Sequence, residues 1–231
     1  MSVCKWRIGL AVPLLALGMG SAQAAMLEGD TVWFSFNDNL LGLFGDPSVS
    51  GDTLVFNPVD FDADVAGGGS DITDAITPVI TITAKANYVI DDVELAESGS
   101  YFRIDPTAGM ATLVAAAGNL IVNGTGVAFS AGGLGAFQSP ADVVANGLSL
   151  VDWAAEAEAE DLGALLATVQ IRNVLVAGAV GGRRGIEMAF IGKDVIELEV
   201  ETAVIPIPAA VWLFGSALIG LSVVGRRRLA A

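Results

Sequence analysis

The sequence predicts a mainly β protein. It reads as one antiparallel, β-sandwich-like ectodomain over residues 25–204, flanked by an N-terminal signal peptide (1–24) and one C-terminal transmembrane helix within 205–231. Three observations carry this expectation. Apolar residues between Thr31 and Glu201 recur mostly with period two, the spacing of a strand that buries one face. Turn signals such as Gly45-Asp46-Pro47, Ser50-Gly51-Asp52 and Asn123-Gly124 separate about ten such stretches, the pattern of a sandwich. Finally, each end carries an uncharged apolar segment beside basic residues.

At the N-terminus, Lys5 and Arg7 precede the apolar run Ile8 to Met19, and Ala22-Gln23-Ala24 follows as an A-x-A cleavage site. This is the layout of a secretory signal, with Ala22 and Ala24 the small residues a signal peptidase reads. The mature chain is expected to start at Ala25. The one cysteine, Cys4, lies before the apolar run and is lost with it, so no disulfide is available to the exported domain.

Within that domain, Thr31 to Phe36 is rich in β-branched and aromatic residues, and Thr53 to Phe56 follows the Ser50-Gly51-Asp52 turn. Val59, Phe61, Ala63 and Val65 then alternate with Asp60, Asp62 and Asp64. Val79 to Ala84, Tyr88 to Leu95 and Tyr101 to Ile104 read as strands, and Ala111 to Ala115 and Leu120 to Val122 as shorter ones. Asn123-Gly124 turns the chain into Gly126 to Phe129. Residues 131–148 form a connection in which Pro140 to Ala145 suits one helical turn. In Val151 to Ala159, alanine and glutamate favour a helix, but the alternation is unbroken and favours a strand, which is the reading adopted. Thr168 to Val176 and Val195 to Glu201 complete the set.

The charge is one-sided. Of 11 Lys and Arg, two lie in the signal and three in the tail, leaving six; all 26 Asp and Glu lie between, so the exported domain stands at −20. Phosphate backbones require a basic surface, so nucleic acid is excluded as a partner, whereas cations and neutral polysaccharide suit this charge.

The tail runs VIPIPAAVWLFGSALIGLSVVGRRRLAA from Val204 to Ala231. No charge interrupts Ala209 to Gly225, and Arg226, Arg227 and Arg228 follow directly. A helix from Ile205 to Gly225 would be roughly 31 Å long, enough to cross a bilayer core. Pro206 and Pro208 stand at its start, where the missing N–H donors cost nothing, and Trp212 suits the interface. The arginine cluster is expected to hold the far end in the cytoplasm.

A short proline motif, one apolar helix and terminal arginines together resemble a PEP-CTERM sorting domain, in its V-P-L-P-A variant. The matching residues are Ile205, Pro206, Ile207, Pro208 and Ala209, with isoleucine at the two aliphatic positions. The resemblance covers the tail. It implies recognition and removal of the tail by an exosortase, a membrane cysteine transpeptidase, in a Gram-negative bacterium that exports polysaccharide. More loosely, Val49-Ser50-Gly51-Asp52-Thr53-Leu54 and Glu97-Ser98-Gly99-Ser100-Tyr101 resemble the β-rich ectodomains that precede such tails.

Catalytic signals are sparse. The mature chain has neither His nor Cys, which excludes Ser-His-Asp and Cys-His catalysis and His/Cys zinc sites, and the expectation is a protein that is not an enzyme. A carboxylate-pair glycosidase needs only two acids and stays open as a minor reading. Gly67-Gly68-Gly69 lacks the spacing of a phosphate loop and reads as a plain loop. Asp60, Asp62, Asp64 and Asp71 share the 1-3-5-12 spacing of a calcium loop, but Val65 stands where glycine is usual and Asp71 where glutamate is; the plainer reading is the wet face of a strand. Asp91, Asp92, Glu94 and Glu97 read as a solvated turn. Trp33, Tyr101 and Trp153 could stack on sugars or serve the core.

Two function classes follow. One is a structural or adhesive protein of the cell surface or exopolysaccharide matrix, reached through an inner-membrane precursor with a periplasmic ectodomain. The other is a membrane-tethered ectodomain that binds carbohydrate or calcium.

Overall fold

A computed structural model describes residues 24–107, 109–181 and 186–206, together with Leu213, Phe214 and Ser216. Among these residues thirteen strands and one α-helix follow in order: β1 (Ala24–Glu28), β2 (Val32–Asn37), β3 (Pro47–Ser50), β4 (Thr53–Phe56), β5 (Asp62–Ala66), β6 (Gly69–Ile76), β7 (Ile80–Ala84), β8 (Tyr88–Ile104), β9 (Thr112–Val122), β10 (Thr125–Ser130), α1 (Pro140–Asn146), β11 (Val151–Ala159), β12 (Leu166–Ala179) and β13 (Met188–Val204). They form two antiparallel sheets. The first runs β1-β2-β7-β12-β9-β10, with β6 also on β12; the second runs β11-β8-β13-β4-β3, with β5 also on β13.

Two long strands are each flanked by a broken one. β12 pairs with β7 through Leu166–Val169 and with β6 through Arg172–Ala179. Between them Pro78, which has no N–H to give a ladder, interrupts the partner strand. Thr77 fills the gap: its N–H donates to Ile171 O at 2.9 Å and its Oγ1 accepts from Ile171 N at 2.9 Å. β13 is flanked in the same way by β4 and β5.

The inner faces of the two sheets make the core. Phe44 meets Phe56 and Phe61 edge to face, with ring centroids 6.0 and 5.5 Å apart. Ile82, Leu120 and Ile171 of the first sheet and Leu54, Leu95 and Leu198 of the second are fully buried. Each such side chain contributes about 1.5–3 kcal/mol by leaving water.

The sandwich agrees with the sequence reading, and several details correct it. Val151–Ala159 is a strand, with Trp153, Ala155 and Ala157 inward. Pro140 opens a short helix capped by Ser139, whose Oγ accepts from Asp142 N at 3.1 Å. The stretches expected as separate strands Tyr88–Leu95 and Tyr101–Ile104 are one strand, β8. Ser98-Gly99-Ser100 has turn composition, but Gly99 pairs with Trp153 on one side and Lys193 on the other, so both ladders hold it extended. Likewise Ala111–Ala115 and Leu120–Val122 merge into β9, and the last strand begins at Met188. β1, β3 and β6 carry too few consecutive buried positions to show in the pattern. Val59, expected on the buried face with Phe61 and Ala63, is 58% exposed because Asp60 takes a positive φ and breaks the alternation.

Candidate functional site

The residues expected to form a sorting motif begin where the last strand stops. β13 ends at Val204, Ile205 N donates to Asn87 O at 2.8 Å, and Pro206 is exposed. Ile207, Pro208, Ala209 and the cluster Arg226–Arg228 lie outside the described residues, as do Ala22 and the rest of the signal before Ala24. Ala24 itself opens β1, opposite Asn37. Among the described residues no helix is long and apolar enough to cross a membrane, and most of the predicted span falls outside them.

The four aspartates proposed from the calcium-loop spacing come from two strands and the turn before them. Asp62 and Asp64 stand on the outward face of β5. Asp71 reaches over from β6: its Oδ2 accepts from Asp64 N at 3.1 Å and its Oδ1 from Ile72 N at 3.0 Å. Partial burial raises the Asp62 carboxyl above its ordinary value, and the neighbouring charges of Asp64, Asp60 and Asp71 add to the rise. Among the described residues no three acidic side chains gather as the ligands of one metal ion would.

The second acidic run is not a solvated turn. It lies within β8, and its members face opposite ways. Glu94 points outward, opposite Glu158 of β11 and Glu199 of β13, so three glutamates form a row across the outer face. Glu97 points inward and is 3% exposed. Of the aromatics, Trp153 and Tyr101 belong to the core, whereas Trp33 is half-buried with Lys85 Nζ 4.9 Å from its ring centroid.

Glu97 anchors a polar centre between the sheets. Its Oε1 accepts from Asn173 Nδ2 of β12 at 2.7 Å, and its Oε2 accepts from Lys193 Nζ of β13. Asn173 is 1% and Lys193 6% exposed. The Lys193 ammonium lies 5.5 Å from the ring centroids of both Phe61 and Trp153. Trp153 Nε1 donates to Gly192 O at 3.1 Å and closes the centre beside Gly99. Burial pushes the Glu97 carboxyl up and the Lys193 amine down, although each charge opposes that shift in its partner. Asn173 Oδ1 is buried without a hydrogen-bond partner.

A second polar group pins one end of the sandwich. Arg103 of β8 donates to the carbonyls of Gly109, Leu134 and Gly135 at 2.7, 3.3 and 3.2 Å, and also to Thr112 O. Burial pushes the Asp105 carboxyl up, but hydrogen bonds from Thr107 Oγ1 and from the Thr107, Ala111 and Thr112 N–H groups outweigh it and hold the carboxyl well below its usual range.

Sequence reasoning passed over Asn173 and Lys193, and placed Glu97 in water. The available signal was parity. Val93, Leu95, Glu97, Gly99 and Tyr101 share one strand face, as do Ile171, Asn173 and Leu175, and Ala189, Ile191 and Lys193. A polar residue in an otherwise apolar phase marks a buried polar group.

No known protein family matches the chain, and no curated protein resembles it. Among solved structures, it is similar to a chain of the infectious bursal disease virus Gx strain at 10% identity and TM-score 0.32, over 77% of this chain and 39% of that one. It is also similar to the VP2 subviral particle of infectious bursal disease virus, at 12% identity and TM-score 0.24, over 87% of this chain and 57% of that one. The chain thus spans less than two thirds of either, and scores this low carry no argument.

Proposed function

We propose that the chain is an exported structural or adhesive protein of the cell surface or exopolysaccharide matrix, whose C-terminal tail is sorted and cut by an exosortase. A signal peptidase acts first, an inner-membrane precursor holds the domain in the periplasm, and the cut releases it. The observation that carries this reading is the end of β13. Among the described residues the last backbone hydrogen bond into the sandwich is Ile205 N to Asn87 O, and Pro206 beyond it is exposed. Prolines remove N–H donors and favour extended backbone, so a membrane-seated enzyme would meet a strand-like peptide there. The strongly acidic, β-rich domain suits a soluble matrix component.

The test is a pulse-chase of the full chain carrying Pro206→Ala and Pro208→Ala. Accumulation of membrane-inserted precursor supports the reading; shedding at the normal rate contradicts it. A second reading, in which Asp60, Asp62, Asp64 and Asp71 take up calcium at the outer face of a tethered ectodomain, draws on the negative charges around Asp62 and requires these side chains to close in on the ion, since no three of them gather among the described residues.

A further inference from the structure

The polar centre between the sheets holds the parts of a covalent reaction. A buried ion pair accounts for Glu97 and Lys193, but it does not account for Asn173. That side chain brings an amide to the same carboxylate and leaves its oxygen without a donor. An amine and a carboxamide that share one carboxyl group are the two reactants and the proton carrier of an amide exchange. We propose that Lys193 Nζ and Asn173 Cγ become joined in an intramolecular isopeptide bond, formed by the protein itself with Glu97 as the acid–base residue.

The step balances within these three residues. Lys193 Nζ passes a proton to Glu97 Oε2, and the freed amine attacks Asn173 Cγ. The new C–N bond forms as the carbonyl pair moves onto Oδ1. A second proton leaves Nζ and reaches Asn173 Nδ2 through the same carboxyl group. The carbonyl re-forms, the Cγ–Nδ2 bond breaks, and ammonia departs. Nothing is oxidised or reduced, and Glu97 keeps the proton it first accepted.

The surroundings favour the reaction. Burial moves both Glu97 and Lys193 toward the neutral forms the first step needs. Phe61 and Trp153 flank Nζ and keep water away from the intermediate. Gly118 pairs with Asn173 across β9 and β12, and a Cβ there would lie 3.0 Å from Asn173 Oδ1, so its absence leaves the amide room. A β-bulge between Lys193 and Val195 resets the strand's phase: Lys193 points inward with Ala189 and Ile191, and Ile196 and Leu198 still do so after it. The product would tie β12 of one sheet to β13 of the other, in a domain with no cysteine for a disulfide. This inference stands on the core geometry and is independent of how the tail is processed.

The test is mass spectrometry of the full chain purified in folded form, with its termini read by sequencing. The expected result is a mass one ammonia below the sequence value, and a proteolytic fragment joining Lys193 to Asn173. Glu97→Gln should restore the full mass with Lys193 and Asn173 in separate peptides, and Asn173→Ala should do the same. If the folded wild-type chain keeps its full mass after prolonged incubation, or loses ammonia with those two residues unjoined, the proposal is overturned. The wild-type measurement decides even where a variant fails to fold.

Discussion

Glu97 of β8 and Asn173 of β12 connect the two sheets through a 2.7 Å hydrogen bond closed from water. With Lys193 on the other carboxylate oxygen, Glu97 is the point at which the sandwich is tied across its interior. Removing one member leaves the other polar group buried without a partner. In the chain that has not formed the Lys193–Asn173 bond, Glu97→Ala should therefore lower stability by about 3–5 kcal/mol, and the double change Glu97→Leu with Lys193→Met should recover part of that loss. Urea unfolding measures both; a loss below about 1 kcal/mol in the single variant would contradict a buried pair.

Gly99 should not tolerate a side chain. A Cβ there would lie 2.1 Å from Gly192 O and 2.7 Å from the Trp153 indole, and the first of these is backbone. Gly99→Ala should destabilise at or above the upper end of the about 1–3 kcal/mol typical of overpacking. Thermal unfolding beside Gly132→Ala, where a Cβ meets open space, provides the control.

The domain should lose stability in acid partly through Asp105. Its carboxyl is held below the usual carboxylate range in the folded state, so it contributes fully above about pH 4. That contribution fades as the pH falls toward the depressed folded value, because the unfolded chain takes up the proton first. Asp105→Asn should be less stable at neutral pH and should show a flatter acid limb. Equal acid slopes in the two proteins would contradict the assignment.

If Asp60, Asp62, Asp64 and Asp71 converge on calcium, chelation should lower the melting temperature, since a ligand held only by the folded state stabilises it. Asp62→Ala should remove the difference between chelated and calcium-loaded protein. An unchanged melting temperature on chelation leaves these residues as the wet face of β5 and its neighbours.

The fold was legible where one face of a strand is continuously apolar. Trp153, Ala155 and Ala157 revealed β11 against the helix propensity of their neighbours, because burial of one face outweighs local preference. β8 was read as two strands because Glu97 and Gly99 interrupt its apolar phase. The groups that make them tolerable, Lys193, Asn173 and Trp153, come from three other strands and leave no local mark. The polar centre was hidden for the same reason. The sorting motif proposed at Ile205–Ala209 rests on local sequence alone, and all but its first two residues lie outside the described residues.

Release of the domain from a membrane-bound precursor, as proposed, requires a cut at its tail. Intact-mass analysis of the mature protein from its native host tests it most directly. The expected product is a chain that begins at Ala25 and ends near Ile205–Ala209, without the apolar segment and Arg226–Arg228. The same host lacking its exosortase should keep the full tail. A mature protein that retains residues 209–231 in the normal host, or an identical short form without the enzyme, would overturn release by an exosortase.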